Sequence, residues 1–283
     1  MDGVIIINKP KNYTSHDIVN IVRKKLNIKK VGHTGTLDPN ATGVLPILIG
    51  QATKISKYLI EHNKTYIATL KLGEKRETGD SEGKIVMQDS NLKDYSIEEI
   101  ERTLKTFLGT QKQTPPIYSA VKVNGKKLYE YARENKNVEI KQRDIQIYSI
   151  YLKEYNNNEI IFRVECSKGT YIRVLCEDIA KKLGTIGYMK ELQRIKVDTF
   201  LLTEAIELED LDIRKARENL ITIEKIFENR NKIDLEDRKI ELFLNGVKLS
   251  YELRDGVYRI YNKERFIGLG IINDKLLKRD IVI

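Results

Sequence analysis

Segments of two different hydrophobic periods follow one another along this chain in no regular order, and that irregularity constrains the fold more than any other feature. From Thr65 to Leu72, the residues Tyr66, Ala68, Leu70 and Leu72 alternate with Ile67, Thr69 and Lys71, which is the period-two pattern of a half-buried strand. Ile18, Ile21, Val22 and Leu26 instead recur at helical spacing behind Thr14 and Ser15, with Asp17 in the first turn, and predict a helix ending near Asn27. Ser96 and Glu99 have capping-box spacing before Ile100, Leu104, Phe107 and Leu108, with Gly109 as the stop. A third helical stripe, Ile172, Leu175, Cys176, Ile179 and Leu183, closes at Gly184. Strand-like runs cover 117–123, 138–152 and 159–166, with turns at Asn124-Gly125 and Asn156-Asn157-Asn158. A regular strand-helix-strand beat would call for a parallel doubly wound sheet. Its absence predicts an α+β domain around a mixed, largely antiparallel sheet.

The stretch from about 204 to 238 reads as charged and helical. Short strands at 256–261, 265–272 and 280–283, punctuated by Gly246, Gly256, Gly268 and Gly270, then predict a small β-rich module. The expected division is residues 1–231 and 232–283, in keeping with a length of 283 residues. With 41% hydrophobic and 32% charged residues the chain is too apolar to be disordered and too charged to be a membrane protein. No apolar run approaches the roughly 18–20 residues of a spanning helix, and MDGVIIINKPK holds only a short apolar stretch. A cytoplasmic protein is expected. Cys166 and Cys176 have no CxxC spacing, and His16, His33 and His62 make no HExxH or paired-ligand pattern, so neither a disulfide framework nor a metal site is expected.

The segment from Gly32 to Gly43, GHTGTLDPNATG, joins tight backbone geometry to donors from threonine and histidine and to one acid, Asp38. It either approaches a ligand closely or only reverses the chain through an Asx turn at Asp38-Pro39. It is no Walker loop, and GLGIIN at 268–273 lacks the third glycine of a dinucleotide fingerprint. Arg173 lies in the first turn of a helix that Thr170 is placed to cap, where a cation opposes the macrodipole by roughly 0.3–1 kcal/mol. An acidic partner is implied, and Asp38 is a candidate. Tyr66 and Tyr171 serve as core or rim tyrosines, or offer faces for stacking on a base. Basic clusters recur beside aromatics: Arg23-Lys24-Lys25 with Lys29-Lys30, Lys126-Lys127 with Tyr129 and Tyr131, and Arg194 with Lys196. With a net charge of +9 they suit a surface that tracks nucleic-acid phosphates, or ordinary solvated faces.

Several long motifs, in order, resemble the bacterial tRNA pseudouridine-55 synthases, the TruB family of pseudouridine synthases. They are Asn8-Lys9-Pro10 with Thr14-Ser15-His16-Asp17, GHTGTLDPNATGVLPI from Gly32, and Lys64-Thr65-Tyr66. QTPPIYSAVKVNGKKLYEYAR from Gln113, CSKGTYIRVLCEDIAKKLG from Cys166 and Leu192-Gln193-Arg194 complete the match. Asn12, Ala180 and Asp198 stand where a glycine is usual or frequent in that family. The resemblance implies a pseudouridine synthase fold with an RNA-binding cleft and a C-terminal module of the PUA kind. It implies that Asp38 is the nucleophile and that Arg173 keeps it ionised. Tyr66 is assigned to base stacking or proton transfer, and Tyr171 and Leu192 to nucleotide contacts. His33 would fill the space left by the flipped base, and Lys9, grouped with the substrate-binding residues, would belong to the motif that supports the Asp38 loop. The substrate would be the T arm of tRNA, acted on by a monomer with no cofactor, metal, membrane or guide RNA. The competing expectations are an RNA-binding protein without catalysis, or a synthase acting on another RNA. Asp38, Tyr66 and Arg173 together argue against the first, and the short C-terminal module argues against a guided enzyme.

Overall fold

Two apolar runs without helical period, β1 (Gly3–Lys9) and β3 (Thr42–Ile49), pair antiparallel along their whole length, from Gly3 opposite Ile49 to Lys9 opposite Gly43. Both are buried on both faces, as a central strand with continuous apolar sequence must be. Between them lie α1 (Ser15–Leu26), capped reciprocally by Thr14 and Asp17, and the short β2 (Val31–His33), which pairs with β3. In this computed structural model, which describes residues 1–134 and 136–283, these strands belong to a ten-stranded sheet. The other strands are β4 (Lys64–Leu72), β5 (Gly109–Gln113), β6 (Arg143–Asn156), β7 (Glu159–Cys166), β8 (Gly187–Val197), β9 (Phe200–Leu201) and β10 (Ile206–Glu207).

The order β10-β1-β3-β8-β4-β7-β6-β5 is antiparallel except where β1 meets β10 and β3 meets β8. The expected mixed, largely antiparallel sheet is therefore present. Helices α2 (Ile97–Lys105) and α3 (Ile172–Lys182) bury Ile100, Leu104, Ile172, Leu175 and Ile179 with Leu70, Phe162 and Val164 of the sheet. The α1 stripe buries Ile18, Val19, Val22 and Leu26 against Ile5, Ile47 and Ile49.

Several expectations need correction. The run 117–123 is a bend leading into a two-residue hairpin strand at Lys122–Val123, paired with Lys126–Lys127. The strand expected over 138–152 occupies Arg143–Asn156, and positive φ at Asn157 and Asn158 makes its turn. Residues 204–238 hold only short helices, Ile213–Glu218 and Ile223–Ile226, between strands Ile206–Glu207 and Lys232–Asp234. Thr170 does not cap α3, because its hydroxyl donates to Ser167 O at 3.0 Å. The family glycines replaced at 12 and 198 mark left-handed positions, with φ of 68° at Asn12 and 50° at Asp198. Asn and Asp tolerate that region best among side chains.

The C-terminal residues form a five-stranded sheet in the order Lys232–Asp234, Gly256–Asn262, Arg265–Asn273, Leu276–Val282, Leu249–Ser250. Part of it faces its own core of Ile233, Phe243, Ile260 and Leu277. Leu269 and Ile281 instead join Val4, Leu48, Ile55, Leu59, Ile223 and Phe227 of the preceding chain in one buried cluster. No helix is long and apolar enough to cross a membrane among the described residues.

Candidate active site

The loop between β2 and β3 carries Asp38, and its shape is fixed by bonds to its backbone. Ser15 Oγ accepts from Leu37 N at 2.9 Å and donates to Leu37 O at 3.2 Å. Arg194 Nη2 donates to Gly35 O at 2.8 Å, Asn12 N to Pro39 O at 3.1 Å, and Lys9 Nζ to Pro39 O at 2.8 Å. Leu37 and Ala41 are buried in the core that Tyr66 also enters. A loop held on both sides of one carboxylate has little freedom left, and preorganised geometry of this kind is what a reacting group needs. The Asp38 carboxylate meets Arg173, with Nε 3.0 Å from Oδ2 and Nη2 3.4 Å from Oδ1.

Arg173 is itself tightly held. It sits in the first turn of α3, 6% exposed, and its Nη2 donates to Tyr118 O at 2.9 Å and Nη1 to Thr78 O at 3.2 Å. Asp80 Oδ2 lies 3.6 Å from Nη1. The cation at a helix N-terminus is thus compensated by two carboxylates, as its position required. The start of α3 is fixed by Gln113, whose amide accepts from Tyr171 N at 2.8 Å and donates to Tyr171 O at 3.0 Å.

These groups line a cleft of about 640 Å³ that contains Asp38, Tyr66, Tyr171, Arg173, Leu192 and Arg194. That volume lies within the range of small-ligand sites. Of the residues singled out in the sequence, Asp38, Tyr66, Tyr171, Arg173 and Leu192 are therefore brought together. Two are not. His33 ends β2 off the cleft wall, and burial holds its imidazole below the usual range. Lys9 is fully buried, with its ammonium on the carbonyls of Pro10, Tyr13 and Pro39 at 2.9, 2.7 and 2.8 Å. It does not reach the cleft but holds the Asp38 loop from beneath, the support its motif implies, and burial lowers its pKa to about 8. Arg194 is likewise no surface cation, at 1% exposure.

Burial raises the pKa of the Asp38 carboxyl, with Asp80 acting in the same direction and Arg173 and Lys9 opposing. The side chain keeps 37% exposure, so water in the open cleft moderates that rise without reversing it. Burial pushes the Tyr66 phenol up to about 12. Sequence reasoning missed Asp80, which carries no local signal, and gave no role to Gln113 and Lys64, although both stand in motifs of the resemblance. Lys64 is 8% exposed and lines the cleft, with its ammonium on the carbonyls of Ile60 and His62. Among the described residues no group of three or more His, Cys, Asp or Glu could hold a metal ion. The arrangement is that of one carboxylate, open to the cleft, beside a fixed cation.

The sequence profile of the TruB family pseudouridylate synthase N-terminal domain matches residues 23–172, and that of the tRNA pseudouridylate synthase B C-terminal domain matches residues 173–226. The chain belongs to the TruB family of pseudouridylate synthases. Its TruB-family relatives include the tRNA pseudouridine synthase B of Francisella tularensis subsp. tularensis (strain WY96-3418), 43% identical across 100% of this chain and 97% of that protein. The protein of the same name from Francisella philomiragia subsp. philomiragia is 40% identical across the same shares. Among solved structures, a Cbf5-Nop10-Gar1 complex matches 99% of this chain and 83% of its own at 27% identity and a TM-score of 0.72. An H/ACA RNP bound to a substrate RNA containing 2′-deoxyuridine matches 99% and 85% at 23% identity with a TM-score of 0.73, a likeness of fold. The TruB-family fold is thus the one observed, a large mixed sheet with a C-terminal β module.

Proposed function

We propose that this TruB-family protein converts uridine 55 in the T loop of tRNA to pseudouridine, with Asp38 as the nucleophile. The observation that carries the proposal is the Asp38–Arg173 pair in the cleft, a nucleophile paired with a cation and needing no metal. The name tRNA pseudouridine synthase B, borne by relatives matched along the whole chain, supports the substrate class. The reaction detaches uracil from C1′ of the ribose, turns it and rejoins it through C5. A uridine stacked in folded RNA must first be flipped into the cleft. Leu192 is a face on which the base packs, Tyr66 meets the base through its hydroxyl, Tyr171 contacts the nucleotide from the start of α3, and Arg173 orients the carboxylate.

Recognition then rests on loop shape and splayed bases, so the isolated T-arm stem-loop is a substrate and no guide RNA takes part. The enzyme works as a monomer in the cytoplasm, and the module from 232 to 283 is a PUA-like RNA-binding surface. Incubation with an unmodified tRNA transcript and mapping of pseudouridine at base resolution is the test. One modified position, in the T loop, is expected from protein and RNA alone. Reaction at another site, or only with a guide complex, overturns the proposal.

A further inference from the structure

Three cations lie buried around the cleft with no carboxylate within ion-pair distance among the described residues: Lys9, Lys64 and Arg194. The ammonium groups of Lys9 and Lys64 are spent on backbone carbonyls. Arg194 alone reaches a side chain of the cleft wall. Its Nε donates to Val44 O at 2.8 Å and its Nη2 to Gly35 O at 2.8 Å, and the guanidinium stands beside the Tyr66 phenol. The sheet dictates that contact, because Arg194 stands opposite Tyr66 in the β4–β8 ladder, where paired side chains share a face. A register shift follows directly between Arg194 and Lys196. Bulges of this kind recur beside active sites because they re-aim side chains.

A guanidinium has only donors, so a phenol oxygen beside it turns its lone pairs towards the cation and its single hydrogen away. Arg173 is already committed to Asp38 and Asp80. Arg194 is therefore a buried cation of the cleft with no carboxylate within ion-pair distance among the described residues, and it stands opposite a tyrosine that lines the cleft.

We infer that Arg194 is a positioning residue that fixes Tyr66 as a hydrogen-bond donor to the uracil ring while that ring carries negative charge. The inference deepens the proposed function and rests on it. When the N1–C1′ bond breaks, the ring keeps the bonding electron pair; if Asp38 adds to C6 first, the ring also gains electrons. Both routes therefore place negative charge on uracil. The C5–C1′ bond then forms, C5 loses its proton and N1 gains one, with no net change in protons. A fixed donor polarised by a buried cation stabilises that charge without reorganisation. The high proton affinity of the buried Tyr66 phenol keeps the donor protonated at neutral pH.

The test is a cycle of single-turnover rates on unmodified T-arm RNA with wild type, Arg194→Met, Tyr66→Phe and the double variant. Arg194→Met is expected to lower the rate by about 10²-fold with RNA affinity within about twofold. In the Tyr66→Phe background it should cost no more than about twofold further. Arg194→Lys, which keeps the charge, should recover part of the rate. Full multiplication of the two losses, or a loss confined to affinity, overturns the inference. Fluorinated tyrosines installed at position 66 leave Arg194 and the fold in place and therefore read the donor even if Arg194→Met does not fold. Their more acidic phenols should raise the rate at pH values where they remain protonated, and a fall overturns the assignment. Wild-type conversion of the RNA is measured first; its absence refutes the proposed function, whereas conversion with an additive cycle refutes this inference alone.

Discussion

At the residue scale, Asp38 carries two opposed demands. As a nucleophile it must be ionised, yet burial in the cleft raises its pKa, with Arg173 only partly offsetting the rise. The single-turnover rate should therefore fall, as pH is lowered, through a value above the ordinary aspartate range. A rate flat down to pH 4 would contradict it. Because the folded state holds the proton more tightly than the unfolded one, Asp38 contributes stability below the ordinary carboxylate pKa and loses it as pH rises through the folded value. Asp38→Asn, neutral throughout, should thus melt above wild type at pH 7, with the difference closing towards pH 3. Its activity should fall below about one part in 10³, with tRNA affinity retained. Arg173→Lys keeps the charge but cannot serve Asp38, Asp80, Tyr118 and Thr78 at once, and should lower the rate by about 10²-fold more than it lowers affinity. A variant with unchanged rate and weaker binding would make Arg173 a phosphate contact. Asp38 and Arg173 were legible as rule-breakers, an acid in a glycine loop and a cation at a helix start. Lys9 was legible only through its motif, and Arg194 was not, because a buried cation satisfied by distant carbonyls has the same local sequence as a solvated one.

At the element scale, what the sequence conveys depends on whether the period survives. Tyr66 to Leu72 keeps strict alternation and is a strand, and the stripes of α1 and α3 are helices as read. β8 was not legible, since register shifts between Met189 and Glu191 and between Arg194 and Lys196 break its alternation where it enters the cleft. Function and irregularity coincide there. Gly43 shows how tightly these strands are built: its φ is +103°, and a Cβ would lie 2.2 Å from the Arg194 carbonyl oxygen on β8. The parallel β3–β8 pair, with Gly43 opposite Arg194, leaves no room for a side chain. Gly43→Ala should cost about 3 kcal/mol and displace the Asp38 loop. Thermal unfolding together with single-turnover rates checks this, and an alanine variant with wild-type melting and rate would refute the close approach. Asn12→Gly, at a left-handed turn with no such crowding, should stay within about 0.5 kcal/mol of wild type.

At the scale of the whole molecule, the question is whether the C-terminal module is an independent unit. Composition and glycine punctuation placed a boundary near 231, and the separate core around Phe243 agrees with a unit that has an interior of its own. The opposite face argues otherwise. Leu269 and Ile281 complete a buried cluster with Val4, Leu48, Ile55 and Phe227, and Asp280 accepts from Tyr58 Oη and pairs with Lys57. A pattern of hydrophobic residues says that a face is buried but not which element covers it, so this junction was not legible. Every residue lining the cleft lies before position 232, so the chemistry does not itself require the module. Stability does: ending the chain at residue 231 uncovers the second face of β1 and β3, the strands whose ends hold the Asp38 loop. Such a chain should melt well below the full-length protein, bind a hydrophobic dye at room temperature, and lose single-turnover activity in proportion to its unfolded fraction. Replacing Leu269 and Ile281 by alanine in the full chain should reproduce part of that loss, at about 2–5 kcal/mol for each, while leaving the module's outer surface intact. If the shortened chain instead melted like wild type and lost only RNA affinity, the module would be a detachable RNA-binding unit and the shared core would contribute nothing to the fold.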